Sequence, residues 1–228
     1  MMENASLYHA RLDQLEDRFE GSVTKLYAEN REKEHPDPHD VVRDAEPFFN
    51  RRSLSCSYVN CWHSSEFASD AMWRVYSRQN AGVAITSTLD RLQQSVILPP
   101  ETDFGILGPV EYLDFENHSM IGSTGCTVRP GFAKQKSFEY EKEVRGLICI
   151  NPDLEKGTIT MSQEYLEQLK VEMPLGVIAK VNLIKMIDKI YTSPLSLPWF
   201  NQIVQSAADR AGLGDVVVKL NLDDDPIY

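Results

Sequence analysis

Two incompatible spacings of apolar residues take turns along this chain. Residues 6–12 put Leu7, His9 and Arg11 on one side and Tyr8, Ala10 and Leu12 on the other, the two-residue period of a strand. Residues 67–76 repeat Phe67, Ala71 and Val75 every four positions, with Met72 and Tyr76 beside them, the period of a helix. The order of such segments decides the fold class. An acidic turn over 13–22 ends in Gly21-Ser22, and helices are predicted over 23–33 and 39–50, split by Pro36-Asp37-Pro38. A strand follows over 54–63, and Ser64 or Ser65 is placed to cap the next helix, with Glu66 and Asp70 toward its positive end.

Residues 82–86 read as a buried strand. Ser87-Thr88-Leu89-Asp90 resembles a capping box that opens a short helix to Val96. Residues 104–115 are strand-rich with a break at Gly108-Pro109, and 116–131 form a loop with three glycines. Strands are predicted over 140–150, 158–161, 176–181, 189–193 and 216–222. Ser162 caps a helix to Glu172; Pro198 starts another that runs to Ala211 and stops at Gly212. The helices are irregularly placed and some strands follow each other directly. This predicts a single α+β domain over 1–228, with a mixed, mostly antiparallel sheet flanked by helices rather than a doubly wound one.

Composition narrows the function classes. With 42% apolar and 25% charged residues the chain has globular composition, which excludes disorder, collagen and coiled coil. No stretch approaches a membrane span, and Met1-Met2-Glu3-Asn4 has no basic flank or apolar core, so a soluble cytoplasmic protein is expected. The formal charge is −11, and no region has the basic footprint of a general nucleic-acid binder. One local exception stands out. Arg129, Lys134, Lys136, Lys142 and Arg145 face only Glu139, Glu141 and Glu143, so an anion would be sought there, although a solvated mixed-charge segment reads the same way.

Several familiar sites are missing. Gly-x-Gly-x-x-Gly, a Walker-type loop and Gly-x-Ser-x-Gly are all absent. The cysteines, Cys56, Cys61, Cys126 and Cys149, make no paired framework and are expected to stay reduced. Cys56, Cys61 and His63 lack the second half of a metal site, and Pro36 and Pro38 break the helix that would aim His35 and His39 at one ion. No metal is expected.

Three constellations remain. Asp13, Glu16, Asp17 and Glu20 cluster after the first strand; they suit a hard cation or, equally, a solvated turn partnered by Arg18 and anchored by Phe19. Trp73 and Tyr76 are three apart on the predicted helix, a spacing that serves core packing or stacking on a base. Glu141, Glu143 and Arg145 are each two apart, so on a strand they share a face continued by Leu147 and Cys149. Arg145 would hold Glu143 ionised and leave Glu141 free to act on a substrate; a surface ladder of ion pairs is the alternative.

At these places the chain resembles a large bacterial domain family of unknown function. The matching segments are Asp17-Arg18-Phe19-Glu20-Gly21-Ser22, Cys61-Trp62-His63, Met72-Trp73-Arg74-Val75-Tyr76, Gly82-Val83-Ala84-Ile85 and Tyr140-Glu141-Lys142-Glu143-Val144-Arg145. Arg18 stands where the family has proline. Members usually begin with a further strand and helix, and this chain is expected to start after them, without the family's first strand. The family's layout is in turn similar to ADP-ribosyltransferase-like folds.

That resemblance implies a site. Glu141 would be the catalytic carboxylate, stabilising the positive charge that develops on the ribose as nicotinamide leaves NAD. Arg11, Trp73, Tyr76, Lys136, Glu143 and Arg145 would bind the substrate. The function it implies is an NAD- or nucleotide-using transferase or glycohydrolase of toxin or phage-defence type. The alternative is a non-catalytic nucleotide- or partner-binding regulatory module.

Overall fold

A computed structural model describes residues 1–17, 19–37, 39–67, 69–77, 81–118, 129–153 and 160–219. In chain order the elements are β1 (Ser6–Arg11), α1 (Lys25–Glu34), α2 (Val41–Cys56), β2 (Ser57–His63), α3 (Asp70–Tyr76), β3 (Val83–Thr86), α4 (Leu89–Ser95), β4 (Val96–Ile97) and β5 (Phe104–Pro109). They continue with β6 (Glu111–Leu113), β7 (Ala133–Gln135), β8 (Glu143–Cys149), α5 (Gln163–Glu172), β9 (Gly176–Val181), α6 (Leu183–Met186), β10 (Lys189–Thr192), α7 (Pro198–Arg210) and β11 (Val217–Lys219). The fold is α+β, with a mostly antiparallel sheet flanked by helices.

The chain divides into two compact units. One comprises Tyr8–Ser64 and Leu98–Ile178; the other comprises Met1–Leu7, Ser65–Ile97 and Ala179–Tyr228.

In the first unit the strands run in the order β1, β2, β8, β5, each antiparallel to its neighbour. Strand β8 is interior: Arg145 lies opposite Cys61 of β2 and Gly108 of β5. An interior strand with both faces covered buries side chains of both parities, and Glu143, Val144, Arg145, Leu147 and Ile148 are all buried. On one face Leu147 packs with Leu12 and Val59. A separate pair, β6 and β7, is parallel and carries Leu113 and Ala133 into a cluster with Phe115. Helix α2 is tied to α5 through Arg52, which donates to Asn151, Asp153 and the Tyr165 hydroxyl.

In the second unit β10 pairs parallel with β11 and antiparallel with β3. Strand β4 pairs antiparallel with β9. Met186, Ile187, Ile190, Val204, Ala208 and Leu213 are buried here. Helix α7 opens on Pro198 and ends before Gly212, whose φ of +71° is the left-handed conformation a glycine cap supplies.

Several sequence-based expectations need correction. Helix α2 continues through Pro47 to Cys56, so the strand expected from residue 54 begins at Ser57. Ser69, not Ser64 or Ser65, caps α3, and it accepts from the Met72 N–H. On that helix Ala71, Val75 and Tyr76 are exposed, so the four-residue repeat marks no core face. Strand β3 is not buried. The cap of α4 is Thr88, which accepts from the Arg91 N–H, and puts Asp90 one position short of the capping-box position. The break between β5 and β6 falls at Val110 rather than Gly108-Pro109. The strand expected over 158–161 lies largely outside the described residues, as do Cys126 and Arg18. Residues 160 and 161 are not in a strand.

Candidate functional site

The strand expected from Tyr140 instead starts at Glu143. Lys136–Glu141 form a 3₁₀ helix, closed by Lys142 in the left-handed conformation at φ 42°. A non-glycine residue there is uncommon, and it ends the helix abruptly. Glu141 therefore does not share a strand face with Glu143 and Arg145. It reaches them by another route: Lys134 Nζ sits 2.5 Å from Glu141 Oε2, 3.2 Å from Glu143 Oε2 and 3.4 Å from Glu20 Oε1. The Phe138 ring lies 5.0 Å below the same ammonium.

Arg145 stands at the other end of the cluster and is fully buried. Its Nε donates to Glu143 Oε1, Nη1 to Glu20 Oε2 and the Gly131 carbonyl, and Nη2 to Glu20 Oε1 and Glu143 Oε2. A guanidinium has five N–H donors, and these bonds use all of them. Arg145, expected to bind the substrate, thus has no donor left to offer one. Burial works against the Arg145 charge, but Glu20 and Glu143 more than offset it and its pKa lies above the ordinary arginine value. Burial likewise works against the Glu143 carboxylate, and Arg145 more than offsets that, holding Glu143 below the ordinary range. Lys134 is raised above the ordinary lysine value by Glu141, Glu143 and Glu20, despite its burial.

Local geometry fixes the carboxylates. Glu143 is held from its backbone, since its N–H donates to the Tyr112 hydroxyl at 2.7 Å. His63 Nδ1 donates to the Glu141 carbonyl at 2.5 Å, tying the end of β2 to the 3₁₀ helix. Gly21, at φ +72°, turns the chain just after Glu20, and a Cβ there would lie 2.2 Å from Leu54 Cδ2. Phe19, expected to anchor this turn in the core, is 47% exposed and meets Phe115 edge-on; Glu20 is the buried residue.

Three carboxylates thus surround two cations. Glu141 has a side chain 17% exposed, against 3% for Glu20 and 6% for Glu143. It is the carboxylate of the cluster most open to solvent. It is not free, as the sequence had suggested, but paired with Lys134. Cys61, on β2 beside the cluster, is solvent-exposed.

The other expected site residues are placed as follows. Arg11 is buried on β1, where it donates to both oxygens of Asp13 and to the carbonyls of Lys170 and Met173. Four of its five donors are spent within the protein. Lys136 is exposed at the start of the 3₁₀ helix. Trp73 and Tyr76 belong to the other unit; Trp73 is half-buried and Tyr76 is 71% exposed, so Tyr76 does not pack in the core.

The acidic constellation is also resolved. Asp13 pairs with Arg11 and Glu20 with Arg145. Among the described residues no group of three or more His, Cys, Asp or Glu could hold a metal ion. No helix among the described residues is long and apolar enough to cross a membrane.

Two partners escaped the sequence reading. Glu20 was read with its neighbours as a cation ligand or a solvated turn, and Lys134 as one charge of a mixed segment. Only the turn signal of Gly21-Ser22 marked the place beside Glu20, and nothing in sequence paired it with Arg145. Compared with family models, curated proteins and solved structures, the chain has no match.

Proposed function

We propose that the chain acts on a nucleotide, with NAD the first candidate, as a transferase or glycohydrolase in which Glu141 is the catalytic carboxylate. One observation carries this reading. Glu141 is the most exposed member of a buried cluster in which carboxylates outnumber cations. A fixed excess of negative charge favours a substrate atom that becomes positive in the transition state, as the ribose carbon does when nicotinamide departs. Lys134 would hold Glu141 in place. The test is incubation with NAD and detection of free nicotinamide, with Glu141→Gln as the comparison. Absence of both turnover and NAD binding in the unaltered protein overturns the reading.

A second reading is a non-catalytic nucleotide- or partner-binding regulatory module. It is favoured by Arg11 and Arg145, whose hydrogen bonds are made within the chain. Nucleotide binding without nicotinamide release would select it.

A further inference from the structure

A cavity of about 530 Å³ is bordered by α1, α2 and the start of α5. Small-molecule pockets occupy roughly 300–1,000 Å³. Arg31 of α1 and Arg43 and Arg51 of α2 line it. Arg43, Pro47 and Arg51 succeed one another at four-residue intervals, so they form one row along the helix. Pro47 has no N–H to offer the Arg43 carbonyl, which leaves a backbone acceptor on that row without its helical donor.

The cations here are not spent as Arg11 and Arg145 are. Arg31 Nη1 lies 3.8 Å from Glu46, and its Nε is buried with no hydrogen-bond partner. Arg43 and Arg51 make no side-chain ion pair with any of the described residues. Ser162, the cap of α5, and Gln163, its first residue, also border the cavity, so the positive end of a ten-residue helix adds to the field. Three guanidinium groups against the carboxylates of Glu32 and Asp44 make this a locally basic lining in a protein of formal charge −11. Phe48 and Leu166 supply apolar surface.

We propose that this cavity binds a phosphorylated, hydroxyl-bearing small molecule of nucleotide size. Its phosphates would meet the arginine row, where the guanidinium fork matches phosphate oxygens. Its hydroxyl groups would donate to Glu32 and Asp44, which explains why carboxylates share the lining with three arginines. The inference stands apart from the chemistry assigned to Glu141, and its readout is binding rather than nicotinamide release, so failure of one leaves the other standing.

Calorimetric titration with ADP, pyrophosphate and adenosine tests it. ADP should bind, pyrophosphate should compete with it, and adenosine should not. The double variant Arg43→Ala/Arg51→Ala should bind ADP at least about tenfold more weakly at an unchanged melting temperature. Should that variant unfold, Arg51→Lys keeps the charge, loses the fork and should still weaken ADP binding. No ADP binding at millimolar concentration, competition by adenosine instead of pyrophosphate, or unaltered affinity in the folded variants overturns the proposal.

Discussion

Arg145 and Glu20 meet two-pronged across 125 residues of sequence, Nη1 to Oε2 at 2.7 Å and Nη2 to Oε1 at 2.8 Å. The pair fastens the turn after β1 to the interior strand β8. Without Glu20, Arg145 loses two of its five hydrogen bonds but keeps Glu143 and the Gly131 carbonyl, so its charge stays paired. Glu20→Ala should therefore destabilise the protein by about 1–3 kcal/mol in urea unfolding, the cost of buried donors left unsatisfied. A loss under about 1 kcal/mol would show that water reaches Arg145.

Glu143 sets the acid limb. Its folded pKa lies below the ordinary 4.5, so its contribution is complete above that value and is lost as pH falls through the depressed folded one. Asp13, lowered by Arg11 against its burial, has the same sign. Lys134 has the opposite sign: its contribution is complete below 10.5 and fades as pH rises beyond the raised folded value. Melting temperatures should hold steady near neutrality and fall below about pH 4.5. Glu143→Gln should be less stable at neutral pH and show a shallower acid limb.

Gly21→Ala should cost about 1–3 kcal/mol from overpacking alone, because the added Cβ meets Leu54 at 2.2 Å and Leu12 at 3.0 Å. The left-handed φ of +72° adds to that. Chemical denaturation checks it, and a neutral outcome would mean that Leu54 swings clear.

Glu141→Gln separates structure from chemistry. Lys134 keeps Glu143 and Glu20 as partners, so stability should change by no more than about 1 kcal/mol. If Glu141 stabilises the departing ribosyl charge, nicotinamide release should drop by a factor of roughly a hundred to a thousand with nucleotide binding retained. Full turnover in the folded variant would remove Glu141 from the chemistry.

Tyr76→Ala should leave stability within about 0.5 kcal/mol, since the ring is mostly in solvent. Trp73→Ala, at a half-buried position on the same helix, should cost more, though less than the 3–5 kcal/mol or so of a core tryptophan. Equal costs at both positions would contradict the burial of α3.

Local rules in the sequence determined much of this protein. Ser162 before 163–172 named its helix because the hydroxyl satisfies an otherwise orphaned N–H, and Pro198 with Gly212 bracketed α7 for equally local reasons. Period-two alternation found β1, and the strand expected over 176–181 matches the bounds of β9. The Glu143–Arg145 pair was legible because residues two apart on a strand share a face. The rest was decided by contacts between distant segments. Lys142 turns left-handed and moves Glu141 off the strand, yet Lys134 of another strand draws its carboxylate back to Glu143. Phe19 was the expected anchor, but the guanidinium of Arg145 takes Glu20 inward instead. Residues 54–56 were given to a strand and went to α2, since packing can extend a helix past its local signals. Spacing places side chains on a face; only the tertiary structure chooses what that face meets, because a buried charge takes whichever partners the fold brings within hydrogen-bond reach.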